Sequence, residues 1–262
     1  MPDLLLFKQA LRDVLRPKRL LAAAPLVLLP AILGLIWRFA AGANDFQAPA
    51  AYNTLSGTLI FNFILVVLAV LFGTGVVASE IEGRTIVYLL TRPVARARVL
   101  FSRFAGAVVG ITVAILAGTL LLALATFGPS QLFAEAVRRD LLVLPLGALA
   151  YGSLFLLVAT ALPRPLLWGL FFAFGWETWV PLIPGSFKYL SLMTYLRTLA
   201  PHPMPEGANA DGDLVDLLQM LSPTTITQGT AWTVLAGVIV VCLALALLVF
   251  SRKEYAPRED AE

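Results

Sequence analysis

The chain has 262 residues, of which 59% are hydrophobic and only 13% charged, against roughly 45–50% and 25% in an ordinary soluble domain. With a mean hydropathy of +0.86, it lacks the polar surface to cover a globule in water, which excludes a soluble enzyme and makes lipid its main solvent. Nineteen basic against sixteen acidic side chains leave +3, too small and too scattered an excess for a nucleic-acid partner.

From Asp3 to Arg16, the apolar residues Leu4, Phe7, Leu11, Val14 and Leu15 recur at helical spacing, while Lys8, Gln9, Arg12 and Asp13 take the other face. Ended by Pro17, this pattern predicts that residues 1–19 hold a helix lying in the headgroup plane, with a frayed cytoplasmic tail as the alternative. A membrane crossing takes about 20 predominantly apolar residues, because a helix rises about 1.5 Å per residue across about 30 Å of hydrocarbon. Six such runs follow, approximately Leu20 to Ile36, Thr58 to Ala78, Phe104 to Phe127, Leu141 to Leu162, Leu166 to Ile183 and Ala231 to Phe250. The first has a basic flank and Ala41-Gly42-Ala43 behind it, as a secretory signal would, but it exceeds the usual apolar length of one and is read as a span.

Asn62 in the second span and Tyr151 in the fourth either line a polar passage or bond to a neighbouring helix. Gly106 and Gly110 give a GxxxG near the start of the third, read as close packing within one subunit in preference to a dimer contact. The fifth span is short, holds Gly169, Gly175 and Glu177, and runs into Pro181 and Pro184, so an uneven crossing is expected there. Glu177 stands between Trp176 and Trp179, and indole rings favour the headgroup level. Its carboxylate is therefore expected at the interface reaching water, with a place in a substrate or ion path as the second reading. Residues 185–230, between spans five and six, hold Phe187 to Leu199, the turn residues Pro201, Pro203, Pro205 and Gly207, and then Asp213 to Leu221. That punctuation predicts two short external helices, serving either as a lid or as packing across the span ends.

Lys and Arg fix the orientation, because positive loops are retained in the cytoplasm. With the N-terminus inside, the cytoplasmic side collects five before the first span, five in 79–103, Arg164, and three after the last span, fourteen of nineteen. Both termini are expected in the cytoplasm.

The chemistry-bearing residues are sparse. Cys242 is the single cysteine and His202 the single histidine, so an internal disulfide and a Cys/His zinc site are both excluded. His202 lies between two prolines in the external loop, which argues against a Ser/His/Asp triad. None of the four lysines (Lys8, Lys18, Lys188, Lys253) follows a glycine, so there is no Walker A loop. ATP-driven work would need another polypeptide, and no cofactor is expected in this chain.

Residues 79–103, between spans two and three, carry Glu80, Glu82, Gly83, Arg84, Thr85, Ile86, Leu89, Leu90, Pro93, Val94 and Arg96. They predict a short helix with acids in its first turn and a cation near its end, as the helix dipole favours, stopped by Pro93. The apolar run Ile86 to Leu90 is too short to span and too apolar to leave in water; the bilayer surface or a partner protein should cover it.

In these residues the chain resembles the permease subunits of ABC-2-type transporters, which carry Glu, a spacer, Gly-Thr, two leucines, Pro-Val and Arg after the second span. Arg84 stands between the usual Gly-Thr neighbours. The order of interfacial helix, six spans and external segment matches the family over the whole chain. The resemblance implies an all-α integral membrane domain of six spans in the cytoplasmic membrane, forming a homodimer or pairing with a related permease. It implies an ABC ATP-binding subunit that holds the ATP and Mg and receives the loop in a groove. Glu80, Glu82 and Arg84 would be the charged hinge, and Ile86, Leu89 and Leu90 the apolar knob. A substrate, most simply one being exported, would pass near the dimer axis between spans two and five, where Asn62, Tyr151 and Glu177 are candidate lining residues. Few midplane charges suit lipids, hydrophobic peptides or drugs better than a naked ion. The competing class is a membrane-embedded lipid-acting enzyme or assembly factor working through 187–221; a secondary transporter would need midplane ionisable groups and related halves.

Overall fold

In a computed structural model, residues 17–82, 96–180, 186–203 and 226–252 are described, and among them all regular structure is helical. Helix α1 spans Pro17–Asp45; α2, Ala48–Leu55, passes through a π stretch, Ser56–Leu65, into α3, Val66–Glu82. Next come α4, Arg96–Phe127; α5, Glu135–Ala161; α6, Pro165–Phe171; a second π stretch, Phe172–Trp176; α7, Glu177–Trp179; a 3-10 turn, Ser186–Leu190; α8, Leu192–Leu199; and α9, Gln228–Arg252.

Among the described residues, five stretches are long and apolar enough to cross a membrane: Ala23–Gly42, Ala48–Gly75, Ala97–Phe127, Glu135–Ala161 and Gln228–Arg252. They match the first, second, third, fourth and sixth expected spans and extend most of them. Polar ends such as Arg98 and Glu135 to Asp140 continue the helix beyond its apolar run, because intrahelical hydrogen bonds do not depend on the solvent outside. At the other end of α1, Gly42 adopts φ 72° and ψ 167°, a conformation costly for any residue with a Cβ, and bends the chain toward α2. Gly128, at φ 77°, does the same between α4 and the turn before α5.

The fifth expected span, 166–183, departs from a single helix. Residues 165–180 are a helical turn or two, a π stretch and one more turn, together about 24 Å at α-helical rise and short of the hydrocarbon thickness. Contacts show how the chain proceeds. Gly169 abuts Val70 and Thr74, Leu196 abuts Gly147, and His202 abuts Gly57. The described pieces 169–180 and 186–202 thus lie between the level of Thr74 and that of Gly57, along the length of α2, the π stretch and α3.

Helix α5 is central, packing against α3, α4, α6, α8 and α9, while α1 lies on α4. The largest fully buried side chains, among them Tyr52, Phe61, Leu65, Leu68, Tyr151 and Phe155, come mostly from the second stretch and α5, with Ile111, Ile115 and Leu122 from α4. Helices α1 and α9 instead expose apolar rows, such as Leu28, Ile32, Ile36 and Phe39, and Val240, Val241, Leu245 and Leu248. Rows of this kind are stable against lipid and not against water.

Gly73 sets the distance between α3 and α5: a Cβ there would stand 3.0 Å from Phe155 Cβ and 3.5 Å from the Gly152 carbonyl. Those atoms are fixed to the backbone, so Gly73→Val should force the helices apart and cost about 1–3 kcal/mol. Gly237, with nothing within 4 Å of an added Cβ, is the control, and Gly237→Ala should melt with the wild type in detergent. Within the GxxxG, Gly106 is buried and Gly110 half-buried in the single chain.

Residues 3–16, the expected interfacial helix, and 83–95, the core of the expected cytoplasmic helix, lie outside the described residues, as do 204–225 of the external segment. Gly83, Arg84, Thr85, Ile86, Leu89, Leu90 and Pro93 fall there. Glu80 and Glu82 lie in the last turns of α3, and Arg96 opens α4.

Candidate functional site

Helix α5 carries a polar face through an apolar bundle. Asp140, Gly147 and Tyr151 are seven and four residues apart, which puts them on one side of the helix, and each meets a different partner.

At the end where α5 begins, Asp140 is 1% exposed. Its carboxylate accepts hydrogen bonds from the Tyr52 hydroxyl at 2.8 Å, the Ser56 hydroxyl at 2.6 Å and His202 Nε2 at 3.0 Å. The imidazole also packs on the Phe61 ring, centroids 4.9 Å apart, while Nδ1 is buried with no partner among the described residues. Gly57 makes this possible, since a Cβ there would sit 3.1 Å from His202 Cβ. Aspartate, histidine and serine meet here, but not in the order of a nucleophilic triad: Ser56 bonds the carboxylate directly, with no imidazole between them. Three donors turned inward on one acceptor make a clasp, joining α2, α5 and the end of the segment that follows α8.

About three helical turns further on, Glu177 is 6% exposed and packed against α5. Its Oε1 accepts from the Tyr151 hydroxyl and, at 2.7 Å, from the Met193 backbone N–H. The second bond explains how α8 starts: its N-cap, Ser191, makes no side-chain cap bond, so Glu177 satisfies an orphan donor of the first turn from a distant part of the chain. Glu177 Oε2 and Ser191 Oγ are also buried, and the Ser191 hydroxyl lies beside the carboxylate. Glu177 is thus not the interfacial carboxylate reaching water that the neighbouring tryptophans suggested. Trp176 and Trp179 are exposed, but at the depth of Tyr151, where packing against α5 places this piece of chain.

Asn62 is exposed, and its Oδ1 accepts from Arg197 Nη2 at 2.9 Å. Asn62 sits in the first π stretch and Glu177 directly follows the second. Such stretches occur at functional sites because the extra residue per turn re-aims neighbouring side chains. Of the three candidate lining residues, the fold joins Tyr151 to Glu177 inside the bundle and leaves Asn62 on its surface with Arg197.

The sequence reading missed Asp140, Tyr52, Ser56 and Arg197. Asp140 was legible in part, since it continues the face of Tyr151 one residue before the apolar run that defined span four. Among the described residues no group of three or more His, Cys, Asp and Glu is placed to hold a metal.

A search of curated proteins returned no match. The model of the family described as ABC-2 family transporter protein matches residues 6–255, nearly the full chain.

Proposed function

The chain belongs to the ABC-2 transporter family, and on that premise we propose that this multi-pass membrane protein is the permease subunit of an ATP-driven exporter in the cytoplasmic membrane, powered by a separate ATP-binding subunit that holds ATP and Mg. Two copies, or one copy with a related permease, enclose the substrate path. The match over 6–255 carries this reading, and the missing Walker A loop supplies the physical need for a partner.

In the proposed topology the broken segment 165–203 is the fifth of six crossings, which brings both termini to the cytoplasmic side. The ends of α3 and α5 and the starts of α4 and α6 then face the cytoplasm with Arg98, Arg103 and Arg164, while the Asp140 clasp lies on the outer side. The loop joining Glu82 to Arg96 docks on the ATPase. Glu80, Glu82, Gly83, Arg84 and Thr85 form its hinge, Ile86, Leu89 and Leu90 its knob, and Pro93 and Arg96 its exit into α4. The path follows the face shared by the second and fifth crossings, lined by Asn62 and braced from behind by Tyr151 and Glu177. Nothing in the inward-pointing polar groups favours a lipid-acting enzyme.

Truncating both Leu89 and Leu90 to alanine removes the knob without touching a span. In proteoliposomes holding the complex, ATP hydrolysis should persist while its stimulation by transport is lost. Unchanged coupling, or purification of the permease without a stoichiometric ATPase, would overturn the proposal.

A further inference from the structure

The second crossing holds more chain than the helix beside it. Its start is fixed to α5 where the Tyr52 and Ser56 hydroxyls meet Asp140. Further along, Leu65 reaches Gly147, where an added Cβ would stand 2.8 Å from the leucine Cδ2, and an added Cβ on Gly73 would stand 3.0 Å from Phe155 Cβ. The order of these contacts shows that the two helices run in the same direction, so the residues between contacts can be compared. From Leu65 to Gly73 there are eight steps, and from Gly147 to Phe155 also eight. From Ser56 to Leu65 there are nine, against seven from Asp140 to Gly147. At α-helical rise, the two surplus residues are about 3 Å of chain that α5 has no room to match.

That interval is the first π stretch, Ser56–Leu65, ten residues long, where single turns are the rule. Its hydrogen bonds to the fifth residue put more residues into each turn, so the same chain advances less along the axis. The stretch opens with Ser56, Gly57 and Thr58, all weak α-helix formers, so little local preference opposes a change of turn. Beyond it, α3 is free to turn. From Val66 to Ala78 the one polar side chain is Thr74, whose hydroxyl donates to the Val70 carbonyl of its own helix, so rotation exposes no unpartnered polar group to lipid.

We infer that this π stretch is an extensible joint in the transport cycle. Each surplus residue taken into α-helix advances α3 by about 1.5 Å and turns it by about 100° relative to α2. Helix α3 is thereby driven toward the cytoplasmic loop while α2 stays fastened to Asp140, and Asn62, inside the joint, parts from Arg197. The inference rests on the proposed docking of that loop on an ATPase and names the element that lets the loop move without opening the Asp140 clasp.

Two measurements test it. The first needs no ATPase: thermal unfolding of the full chain in detergent with one residue deleted. Loss of Leu59 removes surplus chain and should melt within about 3 °C of the wild type, whereas loss of Val67, from the interval where the two helices match, should melt at least about 10 °C lower. The second uses the complex with its co-purified ATPase and nitroxide pairs on introduced cysteines, with Cys242→Ser removing the native thiol. The labels replace half-buried Asn53 on α2, exposed Leu71 on α3 and exposed Leu149 on α5. Trapping with ATP and vanadate should lengthen the 53–71 distance by about 1.5–3 Å, leave 53–149 unchanged, and lower the oxygen accessibility of the label at 71 at least twofold as α3 turns. In the Leu59 deletion the lengthening should shrink.

A 53–71 distance unchanged by trapping would mean that the crossing tilts as a rigid rod and would overturn the joint. So would a Leu59 deletion that melts with the Val67 deletion, or two deletions equally tolerated, since surplus chain would then not be confined to the stretch. If no ATPase accompanies the chain, the permease reading falls and the role in a cycle falls with it, while the deletions still report whether the surplus exists.

Discussion

Asp140→Ala should be among the most destabilising single substitutions in the described bundle, with an expected loss of about 3–5 kcal/mol, the range for removing one partner of a buried charged network. Tyr52, Ser56 and His202 all direct donors at this carboxylate; once it is gone, the Tyr52 and Ser56 hydroxyls have each other, while His202 Nε2 loses its partner. Buried polar groups left short of partners cost more than the bonds themselves contribute. Tyr52→Phe and Ser56→Ala should each cost about 1 kcal/mol, since they remove one donor and leave the acceptor served by two. The effects should not add: in an Asp140→Ala background, Tyr52→Phe should cost little more. Thermal unfolding of the detergent-solubilised chain reads all four variants. If Asp140→Ala melts with the wild type, the cluster contributes nothing to holding the segment after α8 against α2.

The second large effect is at Glu177, where shape and hydrogen bonding separate. Glu177→Leu keeps the volume but strands the Tyr151 hydroxyl and the Met193 N–H inside the bundle, for an expected loss of about 3 kcal/mol. Glu177→Gln keeps Oε1 as an acceptor for both. Its amide nitrogen takes the place of Oε2, beside the Ser191 hydroxyl, which can accept from it, so folding should be close to neutral. Transport by the Gln variant then isolates the charge: unchanged transport would restrict Glu177 to bracing α8, and a loss at normal stability would place its ionisation in the working cycle. A Glu177→Leu protein as stable as the wild type would remove the brace altogether.

Much of this architecture follows from local pattern. Spans one to four and six are visible as apolar runs, and the turns at Gly42 and Gly128 fall where the runs stop. The fifth crossing is where the pattern misleads. Gly169, Gly175 and the two prolines signal irregularity, but no periodicity reveals that α8, with Leu192, Met193, Leu196 and Leu199 buried on one face, completes the climb that α6 and α7 begin. Trp176 and Trp179 mislead in a related way. Indole rings do favour interfaces, but the preference is weaker than the packing of Glu177 and Phe172 against α5.

The candidate site divides along the same line. Tyr151 and Glu177 are singled out by residue type alone, as a hydroxyl and a carboxylate inside apolar runs. Their bond to each other, and Arg197 as the partner of Asn62, are not, because the residues concerned are 26 and 135 positions apart.

By itself the sequence determined the solvent, the places of five of the six apolar runs it shows, the absence of a Walker A loop and the family. All of these depend on composition or on short windows of chain. Tertiary structure alone decided which polar groups meet: Asp140 with Tyr52, 88 residues away, and with His202, 62 away, and Arg197 with Asn62, 135 away. The physical reason is that a buried donor or acceptor must find a partner within about 3 Å. Which one it finds is set by how distant helices pack around α5, and no local period encodes that.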